Sequence, residues 1–189
     1  MRGLHLALTS DELKVLSELS DGEQPEHIAN HLEATKFDTT DACETDKSWA
    51  YIHSALTRTD PEGPLAIPEK SAATSQGLFS RLFGSRVPIG SDEIDAERYA
   101  VMGKMPLLVS EGYYIGVVPR ETVGAVAKAL GKISSDLLAE RLHEVHDLFS
   151  AEGDPVQAAN YATGWYPGLV SFYERAAEAQ KHVIFTVDF

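Results

Sequence analysis

Three short apolar runs, at the start, past the middle and at the end of the chain, most constrain the fold. They occupy residues 2–8, 113–118 and 182–187, and each has the length and the apolar, β-branched or aromatic content of a strand. The first two are predicted to be buried strands, and the third a strand that follows the last helix. The stretches between them favour helices, so strands and helices interleave along the chain.

Helices are predicted from apolar spacing and from the residues that begin and end helices. Thr9 or Ser10 caps the first, and Pro25 opens the second. The predicted helices cover residues 10–20, 25–33, 46–56, 119–130, 134–149 and a last stretch that ends near residue 179, while residues 35–45 and most of 57–90 are predicted as loops. This pattern predicts an α+β fold, a compact layered α/β sandwich with a small mixed sheet covered by about six helices.

Size and cysteine content are those of an ordinary cytoplasmic domain. The 189 residues match the usual size of one domain. Cys43 is the only cysteine, which excludes an intrachain disulfide and fits a reducing compartment. The sequence shows neither a signal peptide nor a run of the ~20 apolar residues that a membrane span needs. We therefore expect a cytoplasmic protein without a membrane span.

The charge balance is strongly acidic, with 16 basic and 29 acidic residues and a net charge of −13. A surface that binds nucleic acid needs the opposite sign, so nucleic acid is not an expected partner. Acidity also keeps a protein soluble. The balance therefore leaves two interpretations open, a merely solvated surface or a surface that matches a basic protein partner.

One predicted helix combines a carboxylate, an indole and an imidazole on a single face. At 3.6 residues per turn, that face holds Asp46, Trp49, Ala50, His53, Leu56 and Thr57. In one interpretation, Trp49 and His53 are core residues bonded to backbone, and Asp46 is a first-turn acid. In the other, they line a cleft where the indole stacks on a ligand and His53 donates, accepts or transfers a proton. One helix does not show whether a cavity lies opposite it.

The same helix carries the most specific part of a family resemblance. Residues 46–57 read Asp-Lys-x-Trp-x-x-x-His-x-x-Leu-Thr and resemble the signature of the YfbM-like family, a domain of unknown function. Further matching motifs follow in the same order at residues 63–65, 88–90, 117–119, 172–176 and 183–185. The resemblance implies a compact α/β sandwich of bacterial origin, and the family supplies no agreed reaction or cofactor.

Two departures from the family pattern stand out. Arg58 occupies the position after the threonine, where the family usually has glycine. Residues 68–86 fall outside the resemblance, so we interpret residues 1–189 as a single YfbM-like domain with an insertion at about 68–86. The insertion contains Leu78, Phe79, Leu82 and Phe83 at helical spacing. Such a segment covers core, meets a partner or touches a membrane, and these four residues are the candidate partner surface.

Other groups of polar residues lack the pattern of a known site. The pairs His27 with His31 and His143 with His146 supply too few ligands for zinc, which normally takes three or four from the protein. Cys43 stands beside acidic residues, which raise a thiol pKa and weaken a nucleophile. Phosphate-binding glycine loops, dinucleotide fingerprints and serine-hydrolase elbows are all missing from the sequence. We therefore predict no metal, no cofactor and no catalytic residue.

Two hypotheses of different classes follow. The first is a non-catalytic binding module that acts through protein contact, for example by neutralising a basic protein partner. The second is a small-molecule site, with or without catalysis, in which His53 is the acid or base and Trp49 the stacking platform. Its candidate binding residues are Asp46, Trp49, His53, Thr57, Tyr114 and Tyr173.

Overall fold

The computed structural model describes residues 2–35, 40–59, 96–110, 112–149 and 154–188. The predicted insertion at about residues 68–86 and the candidate partner surface of Leu78, Phe79, Leu82 and Phe83 lie outside the described residues. Within the described ranges, no helix is long and apolar enough to cross a membrane.

Seven α-helices and five strands form the regular structure of those ranges. The strands are β1 (Gly3–Leu8), β2 (Ala42–Asp46), β3 (Met105–Val109), β4 (Tyr113–Val118) and β5 (His182–Asp188). The helices are α1 (Ser10–Glu18), α2 (Gln24–Ala34), α3 (Ser48–Thr57), α4 (Tyr99–Met102), α5 (Arg120–Leu130), α6 (Ser135–Phe149) and α7 (Pro155–Glu178). The three predicted strands are confirmed as β1, β4 and β5.

The strands form one sheet in the order β2-β1-β5-β4-β3. Every neighbouring pair is antiparallel, so the prediction of a mixed sheet is wrong. The reason is the strand order: β1 and β4 run in the same direction, but β5 lies between them and runs against both. The α+β class and the layered arrangement are confirmed.

The two edge strands are the ones that the sequence pattern does not indicate. Residues 35–45 are predicted as a loop, yet the segment Ala42–Asp46 pairs with β1 as strand β2. Most of its residues are polar or small. On the other edge, β3 contains Pro106, which donates no backbone hydrogen bond and is tolerated mainly at sheet edges. Strand β2 therefore lacks the apolar run by which the three inner strands are found, and the apolar run of β3 is short and contains a proline.

Helices cover both faces of the sheet, and successive strand residues alternate between the two layers. Leu6 and Ile184 pack against residues of α1 and α2 on one face. Ala7 and Phe185 pack against residues of α3 to α7 on the other. We call these the α1–α2 layer and the α3–α7 layer, with the sheet between them.

The α1–α2 layer is small. It consists of helices of 9 and 11 residues, each about 15 Å long at 1.5 Å per residue. Thr9 caps α1 in a reciprocal capping box, because its hydroxyl accepts from the Glu12 amide (3.3 Å) while the Glu12 carboxylate accepts from the Thr9 amide (2.7 Å). Among the described residues, two such short helices leave one end of this sheet face uncovered.

The α3–α7 layer lies very close to the sheet at α4. An added methyl group at Gly116 of β4 would overlap the Met102 carbonyl oxygen, so only glycine permits this approach. Gly103, with φ of +75°, then ends α4, and the next amide, that of Lys104, donates to the Val117 carbonyl at 2.8 Å. This contact holds the carbonyl groups at the end of α4 beside the sheet.

Candidate functional site

Asp46 lies outside the helix on which it was predicted. It is the last residue of β2 and has a positive φ of 45°, while α3 begins two residues later at Ser48. The expectation of a first-turn acid is therefore wrong. The Asp46 carboxylate instead accepts a hydrogen bond from the Tyr161 phenol of α7, and this bond raises the pKa of Tyr161. Asp46 thus links the end of β2 to α7.

Trp49 occupies a core position. Its side chain is 2% exposed and lies 5.6 Å, centroid to centroid, from the Phe185 ring of β5. A methyl group at Gly3 would stand only 2.7 Å from Trp49 Cδ1, so the indole also fills the space beside β1. These contacts make Trp49 a packing residue between α3 and the sheet.

His53 lies at the edge of that core. The residue is half-buried, and its Nδ1 atom is buried without a hydrogen-bond partner in the described part of the chain. Burial lowers the pKa of His53 to about 4, because desolvation disfavours the charged imidazolium. The ring is therefore neutral at pH 7, with one ring nitrogen still able to donate or accept.

Thr57 and Arg58 close α3. The Thr57 hydroxyl donates to the His53 carbonyl at 2.8 Å within the helix. Arg58 adopts the left-handed conformation, with φ of 56°, and its amide donates to the Ser54 carbonyl at 2.7 Å. Glycine adopts this conformation without strain and is the usual residue at such a helix end. The position where the family resemblance leads us to expect glycine is thus a helix C-cap, which Arg58 occupies here.

Tyr114 and Tyr173 bind the end of α4 rather than facing solvent. The Tyr114 phenol donates to the Met102 carbonyl at 2.7 Å, and the Tyr173 phenol donates to the Ala100 carbonyl at 2.9 Å. Burial raises the pKa of Tyr114 to about 12 and that of Tyr173 further. Both phenols are therefore un-ionised at neutral pH and have a backbone partner.

The structure brings only part of the predicted set together. Trp49, Tyr114 and Tyr173 share one hydrophobic core in the α3–α7 layer, whereas Asp46, His53 and Thr57 are half-buried around it. The contacts of these three aromatic residues are those expected of residues packed in the core. A ligand site framed by these six residues stays a prediction.

His5 is a buried polar residue that the sequence reasoning missed. It is fully buried in β1, its Nε2 atom lies 3.1 Å from the Ala100 carbonyl oxygen, and its ring lies 4.9 Å from that of Phe185. Burial lowers its pKa to about 4. A histidine inside an apolar strand was the available signal, since such a residue has to enter the core uncharged.

A groove lies on the opposite face of the sheet, where the α1–α2 layer ends. Its cavity volume is about 200 Å³, and its walls are α2 on one side and β1, β2, β4 and β5 on the other. The lining residues are Arg2, Leu4, Ile28, Ala29, Leu32, Glu44, Tyr113, Thr186, Val187 and Asp188. None of them belongs to the predicted site.

Strand register explains the composition of the groove. Three successive rows of side chains cross this face: Leu6, Ile184 and Val117; then Glu44, Leu4, Thr186 and Ile115; then Arg2, Asp188 and Tyr113. The first row is apolar and covered by the helices, the second is mixed, and the third is polar. Polarity therefore increases from the covered part of the face to the open end, where the groove lies.

The polar groups of the groove are only partly matched to one another. The Thr186 hydroxyl oxygen is buried in a side chain that is 3% exposed, and it meets no partner with standard hydrogen-bond geometry among the described residues. Its polar neighbour is the Tyr113 phenol, whose pKa is raised by burial and lowered in part by a weak hydrogen-bonding interaction with Thr186. At the rim, the Arg2 guanidinium is 3.0 Å from the Glu44 carboxylate, and the Arg2 amide donates to the Asp188 carboxylate at 3.1 Å.

Among the described residues, neither the His27 and His31 pair nor Cys43 lies in surroundings that favour a ligand or a reaction. His27 and His31 lie with Glu12 along a notch of about 10 Å³ beside α1, which is barely the space of one water. In the described ranges, no group of three or more histidine, cysteine, aspartate or glutamate side chains is arranged to hold a metal. Burial raises the pKa of Cys43 to about 11, so its thiol is protonated at neutral pH.

Comparisons with known proteins agree with this architecture. A family model described as a domain of unknown function, DUF1877, matches residues 1–186. A solved structure of YfbM from Escherichia coli, described as a protein of unknown function, is similar with a TM-score of 0.55 and 18% sequence identity, over 98% of this chain and 99% of that one. No curated protein matches the chain. At that identity the similarity to YfbM shows the fold alone.

Proposed function

We propose, for a chain that belongs to the DUF1877 family of unknown function, that it is a non-catalytic binding module. In this proposal the α1–α2 layer and the adjoining groove bind a basic region of a protein partner. The observation that carries the proposal is the uneven distribution of charge between the two helical layers. The groove lies on the more acidic side, and some of its polar groups lack hydrogen-bond partners among the described residues.

Acidic residues are concentrated in the smaller layer. The segment 10–35 contains one lysine, Lys14, and seven acidic residues: Asp11, Glu12, Glu18, Asp21, Glu23, Glu26 and Glu33. All of these acids except Glu12 are exposed. The helices α5 to α7 carry both signs, since their acidic residues alternate with Arg120, Lys128, Arg141 and Arg175. A basic surface is therefore attracted more strongly by the α1–α2 side than by helices α5 to α7.

The groove supports a specific contact in addition to this long-range attraction. Ala29 lines the groove from α2, and Glu26 and Glu33 stand three residues before and four after it, on the same helical face. Glu44 and Asp188 add two carboxylates from the strands. Carboxylates thus line the groove from the strands and stand near it on α2, around a floor with a hydroxyl that lacks a partner of standard geometry among the described residues.

A defined cationic probe tests this proposal. A fluorescent oligo-arginine peptide is titrated with the wild-type protein and with a triple variant, Asp21→Asn, Glu26→Gln and Glu33→Gln, and anisotropy is measured. The matched control is Glu140→Gln, Glu174→Gln and Glu178→Gln, which removes the same charge from exposed positions of the α3–α7 layer.

The expected loss of peptide binding depends on which layer the removed carboxylates belong to. We expect the α1–α2 triple variant to weaken binding about tenfold and the control about twofold, because nearby carboxylates interact most strongly with a bound cation. Equal losses in the two variants would mean that the peptide responds to net charge alone, and the proposal would be abandoned.

His53 favours a second candidate function, a small-molecule site in the α3–α7 layer. Its buried, unpartnered Nδ1 atom in a half-buried ring is a hydrogen-bonding group that a ligand can satisfy. Native mass spectrometry of the purified protein tests this, with His53→Ala beside the exposed control His143→Ala. A bound mass retained by wild type and control but lost from a folded His53→Ala supports the site, and a ligand-free wild type argues against it.

A further inference from the structure

The size and shape of the groove suit a single long side chain. Its volume of about 200 Å³ is below the roughly 300–1,000 Å³ of pockets that enclose drug-sized molecules. Leu4, Ile28 and Leu32 form an apolar strip along one part, and the polar row of Arg2, Asp188 and Tyr113 follows at the open end. An occupant with an aliphatic stem and a polar head matches both parts.

The head group that fits is a cation with several donors. Thr186 and Asp188 of β5 provide a hydroxyl oxygen and a carboxylate, and Glu44 provides a second carboxylate from β2, on the other side of β1. A guanidinium carries five N–H donors in one plane and is more weakly hydrated than an ammonium group, so it loses less on leaving water. It also stacks on aromatic rings, and the Tyr113 side chain lines the same end of the groove.

The groove already holds a guanidinium at its rim. The Arg2 side chain is 74% exposed and forms an ion pair with Glu44 at 3.0 Å. Exposed ion pairs are weak, typically below about 1 kcal/mol, so an incoming cation can displace Arg2 from Glu44. Arg2 therefore shows that the rim accommodates this head group, and it also competes with any guanidinium that enters from outside.

We propose that this groove is the anchor pocket for one arginine side chain of the basic partner, with its stem on Leu4, Ile28 and Leu32 and its guanidinium at Thr186, Glu44 and Asp188. The inference rests on the proposed function, since it names the residue of the partner that the groove recognises. In it, the Thr186 hydroxyl accepts from the guanidinium a hydrogen bond of the standard geometry that it lacks among the described residues.

Nuclear magnetic resonance titrations test the pocket with small probes. The uniformly ¹⁵N-labelled full chain is titrated with Nα-acetyl-arginine methylamide, and separately with the matching lysine and citrulline derivatives. Citrulline has nearly the same shape as arginine without the charge. We expect the arginine probe to shift the amides of Leu4, Tyr113 and Thr186, the lysine probe to shift them at several-fold weaker affinity, and the citrulline probe to leave them unchanged.

Two substitutions give opposite expected effects. Thr186→Val removes the acceptor and should weaken binding of the arginine probe about tenfold, as expected for one lost hydrogen bond to a charged group. Arg2→Ala frees Glu44 and should tighten binding about threefold, whereas Lys14→Ala, which removes the same charge from the same layer at a distance from the groove, should change it less. Tighter binding after loss of Arg2 excludes an anionic occupant, which would need that guanidinium.

The outcomes separate this inference from the proposed function. An arginine probe that shifts amides elsewhere, an equal response to citrulline, or weaker binding in Arg2→Ala would overturn the anchor pocket. Should the oligo-arginine peptide still depend on the carboxylates of the α1–α2 layer, the proposed function would stand without it. Conversely, the arginine probe could bind in the groove while binding of the oligo-arginine peptide does not depend on the α1–α2 charges. The anchor pocket would then stand, and the proposed partner surface would be abandoned.

Discussion

The two layers that cover the sheet differ in how their buried hydroxyl groups are matched. In the α3–α7 layer, the phenols of Tyr114, Tyr166 and Tyr173 each donate to a backbone carbonyl at 2.7–2.9 Å. On the α1–α2 side, the buried Thr186 hydroxyl has no partner among the described residues, and the surrounding surface is acidic. The phenols thus tie the α3–α7 layer to backbone carbonyls, whereas unused hydrogen-bonding capacity is left at Thr186 in the groove and at His53 on the edge of the α3–α7 core.

The largest expected difference between the faces is the cost of removing a large side chain. Phe172 is fully buried in the α3–α7 layer, and Phe172→Ala should lower the free energy of unfolding by about 3–5 kcal/mol. Leu4 is only half-buried at the groove, so Leu4→Ala should cost on the order of 1 kcal/mol. Urea denaturation measures both, and comparable costs would remove the asymmetry.

A second expected effect is a loss of stability in acid that originates in the α3–α7 layer. His5 has a folded-state pKa of about 4, lowered by burial from 6.5. Only the unfolded chain binds a proton between these values, so the stabilisation is complete above pH 6.5 and is lost as the pH falls towards 4, by about 3 kcal/mol. Denaturation across that range should show a smaller decline in His5→Phe than in wild type, and parallel curves would contradict the assignment to His5.

Removal of one hydroxyl from each face should change stability in opposite directions. Tyr114→Phe leaves the Met102 carbonyl without the phenol donor and should cost about 1–2 kcal/mol. Thr186→Val removes a buried hydroxyl that has no partner and should stabilise the fold by about 1 kcal/mol. Thermal denaturation of the two variants compares them directly, and a destabilised Thr186→Val would mean that its hydroxyl is satisfied in solution.

The smallest expected effect on stability is that of the exposed carboxylates. Glu26→Gln and Glu33→Gln should each change the free energy of unfolding by less than about 0.5 kcal/mol, because both side chains are exposed on α2 and removed from the core. Their expected effect on peptide binding is larger. A marked change in stability would assign them a role in the fold instead of in the proposed partner surface.

The inner part of the sheet could be predicted from sequence, and its edges could not. Strands β1, β4 and β5 have neighbours on both sides and are mostly buried, so their apolar runs are continuous. Within the described residues, strands β2 and β3 have one neighbour each. Strand β2 has the polar composition of a loop, and the short apolar run of β3 contains a proline, which counts against a strand in a sequence pattern. Asp46 was misplaced for the same reason, since the polar end of β2 leads directly into α3.

The groove could not be predicted because it depends on alignment between strands distant in sequence. Leu4 lies beside Glu44 on one side and Thr186 on the other, and no single segment contains that row. The site predicted on α3 lay within one helix, where spacing alone defines a face. Spacing does not show what covers the face, and for Trp49 the cover is Phe185 and the backbone of Gly3.

The central position of β5 has a consequence for the order of events during synthesis. Strands β1 and β4 are joined only through β5, the last strand along the chain. Until β5 is made and pairs with both, the described strands can form only two half-sheets, β2-β1 and β4-β3, each with an inner edge open to pairing with other chains. Closure waits for β5, so a protein interrupted before residue 182 should aggregate instead of folding into a smaller version of itself.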